Sequence, residues 1–153
     1  MDWGLKNRLS KIIKPDDNRC LMLAVDHGYF LGPVRGLEQP ADTVVPLAPY
    51  ADALMLTRGL LRRCIPTETR IPIVLRMSGA TSIERDELPD EGLTVSFEDA
   101  VRLNATAITL SIFVGTDYER QTLLALSELV DLGEEYGIPV LAVTAVGRQL
   151  GKK

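Results

Sequence analysis

Asp26 and His27 stand side by side, directly after the apolar run Leu21–Val25, and His27 is the sole histidine of the chain. An imidazole in that place can move protons near neutral pH, and the carboxylate beside it can orient a substrate hydroxyl. Neighbours at the end of a strand point to opposite sides, so the two side chains need not touch. The alternative is structural: Asp26 closes a turn and His27 packs in a loop. Arg58 and Arg76 also follow apolar runs. A guanidinium there can grip a ligand phosphate or carboxylate with two parallel hydrogen bonds, or pair with a carboxylate of the chain itself. Thr57, Ser78 and Gly79 offer hydrogen bonds to a sugar-like ligand, and turn formation accounts for them equally well. The candidate site is therefore Asp26 and His27 for proton transfer, with Thr57, Arg76 and Ser78 for substrate binding.

Other reactive types point to less. Cys20 and Cys64 read as small hydrophobes. Trp3 and the pair Tyr29-Phe30 could cover an opening or meet another copy, and packing is the simpler reading. One histidine and two scattered cysteines cannot furnish a tetrahedral zinc set, so no metal is expected. All five lysines, Lys6, Lys11, Lys14, Lys152 and Lys153, lie near the termini. A Schiff-base enzyme needs a desolvated lysine at a strand end, and none of these occupies one.

Five short runs must position these residues: Leu21–Val25, Ala53–Leu56, Ile71–Leu75, Ala107–Phe113 and Ile138–Thr144. None alternates apolar with polar, which suits strands buried on both faces of a parallel sheet. Helical spacing lies between them. Ser96–Leu103 has Ser96 as N-cap and Asp99 three positions later. Thr116–Tyr136 carries a wide leucine face and ends at Gly137. Weaker helical patterns cover Leu5–Ile13 and Thr43–Ala48, and Gly79–Thr94 reads as a polar surface loop long enough to carry function.

Strand and helix in alternation predict a parallel α/β fold. A doubly wound sheet would place a glycine-rich phosphate loop after its first strand, where this chain has Asp26-His27-Gly28. A TIM (β/α)8 barrel places polar residues at the carboxyl ends of several strands, which is the pattern seen, but it needs about 250 residues. The 153 residues predict one domain, an incomplete barrel of about the first five βα units.

With a net charge of −4, a broad basic face for nucleic acid is not expected. The longest apolar runs fall far short of the roughly 20 residues that cross a bilayer, so no membrane partner is expected. The polar first residues lack a signal-peptide core. Two cysteines without a CxxC pairing point to a reducing cytoplasm.

The segments MDWGLKNRLSKII, LMLAVDHGYFLGPVRGLEQP, PYADALMLTRGLLR, PIVLRMSGATSI, EDAVRLNATAITLSIFVGTDYERQ and PVLAVTAVGR together resemble the archaeal-type class I fructose-bisphosphate aldolase family, on its thiolase branch. The resemblance implies a (β/α)8 barrel, a phosphorylated ketose-like substrate and carbon–carbon cleavage through a lysine Schiff base. On that branch an acetyl group passes from a phosphorylated pentanedione, formed in autoinducer-2 breakdown, to coenzyme A, and dihydroxyacetone phosphate is released. Coenzyme A is then a co-substrate, no cofactor stays bound, and the subunits form a homo-oligomer. Asp26 and His27 match the family's DHG motif and would serve proton transfer. The family's Schiff-base lysine belongs to the strand after the fifth run, and its phosphate loops belong to the last two strands. The 153 residues on their own are therefore expected to be inactive. A tyrosine that assists the sugar aldolases has no counterpart in AVTAVG, which favours the thiolase branch. Three alternatives stand beside this reading: a class I aldolase of another phosphorylated ketose, a non-catalytic interaction module, and a doubly wound nucleotide-binding protein.

Overall fold

The computed structural model describes residues 2–84 and 89–146. Lys152, Lys153 and part of the Gly79–Thr94 loop lie outside the described residues. Helix α1 (Trp3–Ile12) leads into strand β1 (Met22–Ala24), the short helix α2 (Gly28–Leu31) and helix α3 (Pro40–Leu47). Then come β2 (Ala53–Leu56), α4 (Arg58–Cys64) and β3 (Ile73–Arg76). A small ribbon, β4 (Ser78–Gly79) with β5 (Gly92–Leu93), precedes α5 (Phe97–Arg102). The chain closes with β6 (Ala107–Val114), α6 (Glu119–Tyr136) and β7 (Val140–Val146).

The main sheet has the order β1-β2-β3-β6-β7, and every pairing in it is parallel. Strand order therefore follows chain order throughout. A doubly wound sheet reverses direction at a switch point, and this sheet does not. The wound-one-way arrangement is that of a barrel wall, with five of its strands described.

Both faces of the sheet are apolar, which is why the runs showed no alternation. On one face Leu54, Leu56, Ile73, Leu75, Ile108, Leu110 and Ile112 pack with Val44 of α3, Ala100 of α5 and Leu129 of α6. On the other, Ala53, Met55, Val74 and Ala107 pack with Ile12 of α1. Each fully buried leucine contributes about 1.5–3 kcal/mol through removal from water.

Local chemistry explains where the elements start and stop. Ser96 caps α5 by accepting from the Asp99 amide, as expected. Gly137 ends α6 at φ +67°, a left-handed position that favours glycine. Three expectations need correction. The long helix begins at Glu119 rather than Thr116, because the Thr116 hydroxyl donates to the Phe113 carbonyl (2.9 Å) and builds a turn instead. Helix α3 starts earlier than Thr43, at Pro40, whose fixed φ suits a first helical position. The Gly79–Thr94 loop is not all surface: its ends pair as β4 and β5, and Thr81 and Glu91 are buried.

Candidate active site at the carboxyl ends of the strands

Counting by twos up each strand places the candidate residues above the apolar layer that carries Ala53, Met55, Val74 and Ala107. Met22 and Ala24 lead to Asp26, Ala53 and Met55 to Thr57, and Val74 to Arg76 and Ser78. On β6, Ala107 leads to Thr109, which lies level with Arg76, and then to Ser111. His27 falls on the opposite count.

Asp26, Arg76 and Ser78 are indeed brought together, each about 5% exposed. The Arg76 Nε donates to Asp26 Oδ2 at 2.7 Å, and Nη2 approaches the same oxygen at 2.5 Å. Its Nη1 donates to Ser111 Oγ (2.8 Å) and more weakly to Ser78 Oγ (3.4 Å). Ser78 donates to Glu91 Oε2 at 2.7 Å and accepts from the Ser111 amide at 3.1 Å. The Tyr29 hydroxyl donates to Glu91 Oε1, and the Tyr29 ring centre lies 5.0 Å from the Arg76 guanidinium carbon. Burial first, and the bond to Glu91 second, push the Tyr29 phenol up to about 12.

Thr57 caps α4, its hydroxyl oxygen accepting from the Leu60 amide at 3.2 Å. It lines a small cleft of about 180 Å³ with Tyr29, Arg58, Arg76, Ser78 and Thr94. His27 is half-buried at the start of α2 and does not line that cleft. Both arginines pair with carboxylates of the chain. Arg58 meets Asp99 at 3.0 Å, and Arg62 and Arg102 share the same carboxylate at 2.8 and 3.2 Å. The bond from Arg58 leads the effects that hold the Asp99 carboxyl below the usual range. Among the described residues no group of three or more His, Cys, Asp and Glu side chains is placed to hold a metal ion. No described helix is long and apolar enough to cross a membrane.

Sequence reasoning missed Glu91, Ser111 and the polar role of Tyr29. Ser111 carried a usable signal, since it follows Thr109 by two and so shares its side of an otherwise apolar run. Glu91 sits among Asp86, Glu87 and Asp90, and nothing local sets it apart.

A parallel sheet wound in one direction, with a buried polar layer at its carboxyl ends, defines the class of (β/α)8-barrel enzymes. The profile of the DeoC/LacD family aldolases matches residues 20–152, and the chain belongs to that family. It is 48% identical over 150 residues to the 3-hydroxy-5-phosphonooxypentane-2,4-dione thiolase of Yersinia pseudotuberculosis serotype O:1b (strain IP 31758), covering 98% of this chain and 51% of that protein. The thiolase of the same name from Photorhabdus laumondii gives the same figures, 48% identity, 98% and 51%. The chain thus spans about half the length of these relatives. Among solved structures, an archaeal fructose 1,6-bisphosphate aldolase superposes with a TM-score of 0.78 at 21% identity, covering 94% of this chain and 59% of that one. The fructose-bisphosphate aldolase from Slackia heliotrinireducens gives 0.80 at 16% identity, covering 99% and 54%. These likenesses agree with the thiolase-branch resemblance and with five strands of a barrel wall.

Proposed function

We propose that this chain supplies the first five βα units of a Schiff-base thiolase. In the proposed reaction the bond between the acetyl carbonyl carbon and the adjacent hydroxyl-bearing carbon of a phosphorylated pentanedione breaks. The acetyl fragment joins the sulfur of coenzyme A, and the other fragment takes up a proton to leave as dihydroxyacetone phosphate. The observation that carries the reading is the buried Asp26–Arg76 pair at the carboxyl ends of β1 and β3, in a chain 48% identical to thiolases of that name. Arg76 aims the Asp26 carboxylate, and Asp26 moves the proton. His27 serves proton transfer from the rim, and Thr57 and Ser78 hydrogen-bond the substrate. No described lysine lies on a strand; the family resemblance implies that the amine and the phosphate loops belong to strands beyond β7. Coenzyme A is a co-substrate, no cofactor stays bound, and the working form is a homo-oligomer. The free thiols Cys20 and Cys64 fit a cytoplasmic setting.

Borohydride trapping tests the proposal. The chain would be combined with the half of the Yersinia relative that it does not span, then treated with dihydroxyacetone phosphate and borohydride. A covalent adduct on the added half, and none on the chain alone, is expected. An assembled complex that forms no adduct would contradict it.

A further inference from the structure

We propose that Glu91 is a positioning residue of this site, acting through Tyr29 and Ser78 on Arg76 and thereby on the direction of the Asp26 carboxylate. The inference rests on the proposed reading of the Asp26 end as the working site, but its geometry is independent of the reaction.

Glu91 is 6% exposed. A carboxylate is buried at a cost unless its oxygens are bonded, and here both are used. Oε1 accepts from Tyr29, and Oε2 accepts from Ser78 at 2.7 Å. Both partners touch Arg76. The Tyr29 ring covers the guanidinium, and Ser78 stands 3.4 Å from Nη1. Ser111 holds Nη1 and Asp26 holds Nε and Nη2, so the planar group is held along its edge and covered on a face. Glu91 bonds to two of the groups around it without touching it.

The backbone delivers Glu91 to this place. Pairing of Ser78 with Leu93 and of Gly79 with Gly92 sets the register of the ribbon. The Thr94 amide then donates to the Met77 carbonyl at 2.8 Å, which locks the return limb beside Ser78. Glu91 could instead be a mere clasp tying this limb to the sheet. The two roles separate at Gln121, whose side-chain amide donates to the Glu91 carbonyl at 3.2 Å and leaves the carboxylate alone. Loss of that bond loosens a clasp and spares a positioning network.

The readout is the Arg76 Nε–H resonance of the chain assembled with the remaining half of the Yersinia relative, assigned by its disappearance in Arg76→Lys. Glu91→Gln keeps the shape and removes the charge. It should speed solvent exchange of that proton about tenfold or more, because a network bond to a charged acceptor is stronger than to a neutral one. Glu91→Asp should restore part of the protection, and Gln121→Ala should leave it within about twofold. If Glu91→Gln does not fold, the pair Tyr29→Phe with Ser78→Ala removes both partners of the carboxylate and should give the same loss. Unchanged exchange in Glu91→Gln, or equal acceleration in Gln121→Ala, would overturn the proposal whatever the enzyme does. Accelerated exchange in Glu91→Gln alone supports it even where the assembled complex forms no Schiff base, an outcome that would sink only the proposed reaction.

Discussion

At the scale of the residue, the buried Asp26–Arg76 pair carries most of the risk. Removing one member of such a pair leaves the other charged and unpartnered, which costs about 3–5 kcal/mol. Arg76→Met should lower unfolding stability by that amount in urea, and near-wild-type stability would show the pair to be dispensable. One carboxyl and one phenol give opposite pH signatures. Asp99 titrates below its ordinary value in the fold, so its contribution is present above about pH 4 and is lost as pH falls through its depressed folded value. Asp99→Asn should therefore flatten the acid limb of the stability curve. Tyr29 titrates above its ordinary value, near 12, so stability is whole below about pH 10 and is lost as pH rises toward 12. Tyr29→Phe should remove that alkaline loss, as measured by denaturation at stepped pH. Asp26, Arg76 and Ser78 were legible because each follows an apolar run. Glu91 was not, since its burial depends on a ribbon of two residues per strand that no local pattern announces. His27 was legible as chemistry; in the fold it stands half-buried at the start of α2 and, like Asp26, does not line the cleft.

At the scale of the element, Gly133 makes a tight joint between α6 and the segment that leads into β7. A Cβ on Gly133 would meet the Ile138 carbonyl oxygen at 2.6 Å, and that oxygen is backbone that cannot swing aside. The Gly133 carbonyl also accepts from the Ile138 amide at 2.8 Å, so the two segments cannot separate without losing that bond. Gly133→Ala should cost about 1–3 kcal/mol by overpacking, against a small gain expected for alanine in an open helix. Thermal melts would show the sign directly. Strands β2, β3 and β6 were readable because burial on two faces produces continuous apolar runs; β1 and β7 carry similar runs but, at the edges of the described sheet, no residue of either is fully buried. Helices α2 and α4 were not, for four and seven residues give too few turns to show a period. The start of α6 was misplaced because Thr116 to Tyr118 carry no proline or glycine to break a helical count. In the fold Gly115 adopts φ +73°, and its amide donates to Glu119 Oε2 at 2.6 Å.

At the scale of the molecule, the sheet has two free edges among the described residues. Strands β1 and β7 each pair on one side only, and Val146 on β7 is 70% exposed. A closed barrel would leave no edge, whereas open parallel edges invite pairing with another chain. The 153-residue polypeptide on its own should therefore self-associate at micromolar concentration. Light scattering that finds a monodisperse monomer with one sharp unfolding transition would contradict this. The direction of winding was legible only in outline, because spacing of the runs fits a barrel and a doubly wound sheet alike. The absence of a glycine-rich loop after β1 tilted the choice, and the monotonic strand order settles it.

In the proposed reaction Asp26, aimed by Arg76, moves the proton of a coenzyme A-dependent cleavage. The direct measurement is acetyl-coenzyme A formation by the chain assembled with the remaining half of the Yersinia relative, with wild-type Asp26 and with Asp26→Asn. Loss of a positioned general acid–base should slow the reaction by about 100-fold or more while assembly is unchanged. Equal rates for the two assemblies would place the chemistry elsewhere.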